Sequence, residues 1–150
     1  MGRILCIDYG ERHTGVAVSD PIRTIAQALP TIHHSSGGEL LDALRRLIGA
    51  QEVDEIVIGL PVSRSGKPSR RSEQVRSFSG QLKKATGLTV TTFDERFSTA
   101  RAIEVLEETR GIRDLAAGRH AATGRDRKRR EAVDRIAATI ILGDFLASRR

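Results

Sequence analysis

Apolar and polar positions alternate in a way that divides the chain into short strands and amphipathic helices. Residues 3–8 (Arg-Ile-Leu-Cys-Ile-Asp) are apolar at consecutive positions, which predicts a strand buried on both faces and therefore central. A tight turn follows over 9–13, and residues 14–19 (Thr-Gly-Val-Ala-Val-Ser) read as the second arm of a hairpin. A third strand is expected over 24–32, where Pro30, lacking a backbone N–H, argues for a sheet edge. Gly37 and Gly38 precede a helix at 39–50, with Leu40, Leu41, Leu44, Leu47 and Ile48 on one face. A fourth strand covers 54–59 and a polar loop about 62–70. A helix at 71–86 turns Val75, Phe78 and Leu82 inward, and Gly87 suits its C-terminal stop. A fifth strand over 88–93, a helix at about 98–109 carrying Ile103 and Leu106, a mobile basic loop over 110–127 and a last helix at 128–148 complete the chain. The order β-β-β-α-β-α-β-α-α predicts an α/β architecture. Three antiparallel strands come first and β-α units follow, giving a five-stranded mixed sheet covered by helices on both faces.

With 150 residues and no internal repeat or linker, the sequence is read as one domain spanning 1–150. Cys6, the only cysteine, falls inside the first apolar run and reads as core rather than as a thiol nucleophile. No apolar stretch approaches the roughly 20 residues of a membrane span, and the N-terminus enters a strand directly, so a soluble cytoplasmic protein is expected.

Charge narrows the choice of partner. The formal net charge is +6 and the isoelectric point about 10.4, which favours an anionic ligand. Arg64, Lys67, Arg70, Arg71 and Arg76 form one basic cluster; Arg119, His120, Arg125, Arg127, Lys128, Arg129 and Arg130 form another. Of these, Arg64, Lys67, Arg70, Arg71, Arg125, Lys128 and Arg129 are candidate phosphate contacts. With four Phe, one Tyr and no Trp, extensive base stacking is not expected; Tyr9 is the one aromatic placed to touch substrate. Gly10, Gly15 and Gly59 read as turn glycines or as points of close approach to a phosphate.

Three acidic positions mark candidate chemistry. Asp8 ends the first strand, Asp94-Glu95 follow the fifth, and Asp134 stands early in the last helix. Strand ends of a parallel sheet gather at one edge, where ligands bind. A cluster of hard carboxylate oxygens on a basic protein suggests Mg²⁺ or Mn²⁺ acting on a phosphodiester. Ionised together without cations, such carboxylates repel one another. Asp94 and Glu95 are adjacent and so face opposite sides of a strand; Glu95 is preferred because the chain turns there and Glu has more reach, with Asp94 as the alternative. Ala138, Ile141 and Phe145, at four, seven and eleven residues beyond Asp134, share its side of the helix and would dock it at the sheet edge.

These residues also carry a family resemblance. Asp8-Tyr9-Gly10 with Thr14-Gly15-Val16-Ala17-Val18-Ser19-Asp20, Ile58-Gly59-Leu60-Pro61 with Gly66, Asp94-Glu95-Arg96-Phe97-Ser98-Thr99, and Lys128 through Asp134 to Ala138 together resemble the YqgF/RuvX family over essentially the whole chain. Ser65 stands where the family often has an acidic or amide residue, and Phe97 and Ser98 stand where Leu and Thr are more usual. The resemblance implies a ribonuclease H-like fold and a metal-dependent nuclease. Asp8, Glu95 and Asp134 would be its catalytic metal ligands, acting in Holliday junction resolution or maturation of the precursor of small-subunit (16S) ribosomal RNA.

Two other classes compete. A noncatalytic RNA- or DNA-binding module would explain the charge without requiring the carboxylates to converge. An actin-like ATPase uses a similar Asp-x-Gly…Thr-Gly hairpin, but needs two related domains around its nucleotide. The expected partner is structured RNA, or branched or single-stranded DNA, bound by a monomer or a homodimer; symmetric cutting of a junction needs two sites and hence the dimer.

Overall fold

Five strands form one sheet: β1 (Arg3–Asp8), β2 (His13–Ser19), β3 (Ala26–His33), β4 (Val53–Pro61) and β5 (Thr89–Glu95). Helices α1 (Gly37–Ala50), α2 (Arg70–Thr86) and α3 (Arg125–Ser148) accompany them. This is a computed structural model, and it describes residues 2–61, 65, 67–95, 104 and 125–149, with side chains in α3 from Ala132 onward. The sheet order is β3-β2-β1-β4-β5. β1 pairs antiparallel with β2 and parallel with β4; β3 joins β2 antiparallel, and β5 joins β4 parallel. The mixed sheet is the expected one, with β1 central and Pro30 on an edge strand.

The two faces of the sheet carry separate cores. Leu5, Ile7, Val16, Val18, Ile56, Ile58 and Leu60 alternate onto one face and meet Leu40 and Leu44 of α1 and Val75, Phe78 and Leu82 of α2. Ile4, Cys6, Ala17 and Val57 occupy the other face and meet Ala138, Ile141, Leu142, Phe145 and Leu146 of α3. Full burial of each large aliphatic side chain contributes about 1.5–3 kcal/mol, so packing rather than helix propensity holds α3 on the sheet. Cys6 is fully buried in this second core, and burial, reinforced by Asp8 and Glu95, keeps its thiol protonated.

Several boundaries differ from the sequence reading for identifiable reasons. Gly37 and Gly38 lie inside α1, because Ser36 is the N-cap: its hydroxyl accepts from the Glu39 backbone N–H. β5 continues through Glu95, held by pairing of Asp94 with Leu60 and of Glu95 with Pro61. α3 begins at Arg125, so residues 125–127 are helical rather than loop. A Ser69–Ser72 capping box starts α2, and Gly87, at φ 69°, ends it in the left-handed conformation expected. The expected helix at 98–109 lies outside the described residues apart from the helical Glu104, as does the expected loop up to 124.

At the end of the sheet away from Asp8, Glu55 is buried between two guanidinium groups. Arg23, itself at φ 58°, donates to Glu55 (2.8 Å), to Asp54 and to the Gly2 carbonyl; Arg149 donates to both oxygens of Glu55 and covers the Phe145 ring at 4.4 Å. The network ties the β2–β3 turn, the start of β4 and the end of α3 together.

Candidate active site

Strand alternation selects which side chains meet. Asp8 follows Cys6 by two residues and so projects onto the α3 face, directly opposite Gly15 in the β1–β2 register. By the same count Gly59 follows Val57 and Glu95 follows Phe93 onto that face. Asp134 arrives from above, one turn before Ala138, whose burial with Ile141 and Phe145 fixes the helix. Strands β1, β4 and β5 are parallel, so Asp8, Gly59 and Glu95 also share one end of the sheet.

Two glycines make room. A Cβ at Gly15 would stand 2.3 Å from the Asp134 backbone oxygen, so α3 rests on bare β2 backbone at this point. A Cβ at Gly59 would stand 2.9 Å from Glu95 Oε2 and 2.8 Å from Ile141 Cδ1. The sequence alone suggests turns or close approach to a phosphate for both. A glycine inside a strand is itself a signal of close backbone approach, and here the approaching groups are Asp134 and Glu95.

The carboxylates are close enough to affect one another's charge. The Asp8 carboxyl is pushed up to about 7. Burial is the largest cause and repulsion from Glu95 the next; Arg71 opposes both, and Asp134 adds a smaller upward push. Asp8 as a residue keeps some exposure, but its carboxyl lies deep at the strand end. A carboxylate in this position is costly to ionise unless a cation joins it.

The turn after Asp8 is fixed from the other side. A Cβ on Gly10 would lie 2.1 Å from the His13 carbonyl oxygen, so this turn admits glycine alone. Thr14 Oγ1 lies 3.4 Å from both the N–H and the carbonyl of Gly10, and 2.9 Å from Nε2 of the buried His34. The His34 N–H donates to the Arg12 carbonyl. Thr14 and His34 thus brace the turn that follows Asp8, a role that no pattern in the sequence announces.

The remaining candidates are dispersed. Asp94 is exposed and alternates to the face opposite Asp8. The Tyr9 ring likewise points away from Asp8 and stacks on Phe78, with centroids 4.8 Å apart. Arg70 and Arg71 begin α2, and Arg71 Nη2 donates to the Tyr9 carbonyl at 3.4 Å. Lys67 is exposed on the preceding segment. Arg64 lies outside the described residues, as do the side chains of Arg125, Lys128 and Arg129 at the start of α3.

Among the described residues no three carboxylate, histidine or cysteine groups close into a cage for an ion. The donor set nonetheless fits Mg²⁺ or Mn²⁺. Its members offer hard oxygens, Asp8 gains from a neighbouring cation, and Mg²⁺ characteristically keeps water in its shell rather than taking a full set of protein ligands.

The chain is similar to known proteins over almost its whole length. The family described as RuvX, Holliday junction resolvase, matches residues 2–148. A candidate pre-16S rRNA nuclease of Koribacter versatilis is 40% identical over 148 residues, covering 99% of this chain and 88% of that protein. The corresponding protein of Moorella thermoacetica is 38% identical over 144 residues, covering 96% and 94%. Among solved structures, Thermus thermophilus RuvC in complex with a Holliday junction substrate superposes with a TM-score of 0.55 at 14% identity, covering 99% of this chain and 96% of that one. The fowlpox virus resolvase with Holliday junction DNA gives 0.53 at 12%, with 98% of each chain covered. At such identities these two likenesses speak for the fold, which is ribonuclease H-like.

Proposed function

This chain belongs to the RuvX Holliday junction resolvase family, and on that premise we propose that it is a divalent-metal-dependent nuclease. It hydrolyses phosphodiester bonds in structured nucleic acid, with processing of the precursor of 16S ribosomal RNA or resolution of branched DNA as its task. The names of the relatives favour the RNA substrate. The observation that carries the reading is the convergence of Asp8 and Glu95 on the face under Asp134, with Asp8 driven up to about 7 by burial and by its acidic neighbours.

In this reading Asp8, Glu95 and Asp134 hold Mg²⁺ or Mn²⁺. When bound, two such ions would activate the attacking water and steady the departing 3′-oxygen. Asp8 stands centrally, and Glu95 and Asp134 flank it from β5 and α3, so these three carboxylates would be the ones to hold the ions. The residues of the chain itself set the position of the scissile phosphate. Arg71 holds positive charge beside Asp8. Arg70, Lys67, Arg64 and the basic start of α3 then bind flanking phosphates without reading sequence.

Cleavage by wild type and Asp8→Asn tests this, with Mg²⁺, Mn²⁺ or EDTA, on a four-way DNA junction, single-stranded DNA and RNA, and a precursor 16S fragment. Metal-dependent cutting that falls at least about 100-fold in Asp8→Asn is expected, since even supporting partners of metal ligands cost about 10–100-fold. Nucleic-acid affinity should be largely retained. Tight binding by wild type with no cutting in any metal would replace the nuclease with a binding module.

A further inference from the structure

On the sheet face opposite Asp8, two adjoining clefts of about 400 and 430 Å³ run along the first turns of α2 and share Tyr9, Arg70 and Gln74 as walls. Phe78 takes one face of the Tyr9 ring, and Gln81 continues the wall further along α2. We propose that this furrow receives one unpaired nucleotide of the substrate strand, next to the phosphate held at Asp8, so that cutting occurs where paired nucleic acid gives way to unpaired. The proposal rests on the nuclease reading above and adds to it the form of the substrate.

Geometry supplies the first argument. Asp8 and Tyr9 are consecutive and project to opposite faces of the sheet. A strand with one phosphate at Asp8 reaches the furrow only by crossing the sheet edge at the Tyr9–Gly10 turn. A stacked, paired duplex is stiff over such a distance, whereas an unpaired chain bends freely. Arg71 stands at the crossing, within range of Asp8 and bonded to the Tyr9 carbonyl, where it can pair with the phosphate between the two positions.

Chemistry inside the furrow supplies the second. Arg70, the guanidinium common to both clefts, is at the N-terminal end of α2, and the aromatic surface is the Tyr9–Phe78 pair. Gln74 donates to Glu11 at 3.2 Å, which leaves its carbonyl oxygen able to accept from an exocyclic amino group. Glu11 and Glu73 also line the furrow. Two carboxylates there repel a phosphate but not a base, so the charges place the backbone on the arginine side and the base between the glutamates. One aromatic platform serves one base, consistent with so few aromatic residues.

The test uses Asp8→Asn protein and RNA hairpins carrying 2-aminopurine, either as the first unpaired residue beyond the stem or paired at the end of a blunt stem. Tailed hairpins are expected to bind about tenfold more tightly than blunt ones, within the range of one stacked base. The fluorescence should change on binding only for the unpaired base. Adding Arg70→Ala with Gln74→Ala should abolish the fluorescence change and reduce the preference below about twofold, with circular dichroism unchanged. Equal affinity for tailed and blunt hairpins, or a preference that survives the double substitution, would overturn the furrow alone. Failure to bind any nucleic acid would overturn the nuclease reading with it.

Discussion

Gly15 and Asp134 are in backbone contact: the Cβ that Gly15 lacks would stand 2.3 Å from the Asp134 carbonyl oxygen. Strand β2 therefore sets the height of α3 above the sheet, and with it the position of the Asp134 side chain relative to Asp8. Gly59 does a lesser version of the same thing for Glu95.

The two glycines should behave differently on substitution. Gly15→Ala meets backbone, which cannot swing aside, and should cost about 1–3 kcal/mol or more in stability as well as cleavage. Gly59→Ala meets the ends of Ile141 and Glu95 side chains, which can move. It should lose less stability but displace Glu95, so that cleavage falls more than the melting temperature suggests. Chemical denaturation and cleavage rates on the same two proteins decide the matter.

Stability without metal should depend on pH through Asp8. Its carboxyl is raised to about 7 in the folded chain, against about 3.9 when unfolded. The folded state thus binds the proton more tightly, and stability falls as pH rises from about 4 to about 7, then levels. At 1.36 kcal/mol per pH unit the fall is at most ~4 kcal/mol. Asp8→Asn should flatten this fall, and millimolar Mn²⁺ should restore stability to wild type near pH 8 but not to the variant. Denaturation midpoints across that range provide the readout; a wild-type profile as flat as the variant's would contradict the placement of Asp8.

Glu95→Gln should reduce cleavage at least about 100-fold, by the same comparison with supporting residues, whereas Asp94→Asn should leave it within about threefold. The prediction follows from alternation along β5, which turns Glu95 toward Asp8 and Asp94 away. Rates for the two variants at saturating metal distinguish the neighbours.

Glu55→Gln should destabilise the fold by about 1.5–3 kcal/mol, the range for hydrogen bonds to charged groups, with cleavage unchanged. Glu55 lies between Arg23 and Arg149 at the far end of the sheet, with its side chain 11% exposed. An effect on cleavage larger than the loss of folded protein would show that the two ends of the sheet are coupled.

Much of this was legible in the sequence because it follows from periodicity. The apolar run of residues 4–7 marks a central strand, Pro30 marks an edge, and spacing from Asp134 to Ala138, Ile141 and Phe145 marks the docked side of a helix. No turn intervenes before Glu95: β5 continues through it, and strand alternation puts its side chain on the Asp8 face. What the sequence concealed depends on contacts between distant segments. Gly15 is needed by a residue 119 positions later, and His34 reaches the Asp8 turn through Thr14. Tyr9 adjoins Asp8 in sequence, yet strand alternation sends its ring to the other core.

Because α3 both covers Cys6, Ala17 and Val57 and brings Asp134 to the site, one docking event finishes a hydrophobic core and the set of carboxylates. Asp134 is also translated after Asp8 and Glu95. On the reading proposed above, a chain still emerging from the ribosome would carry two of its three acidic groups on an uncovered sheet face, and cutting would wait until α3 settles.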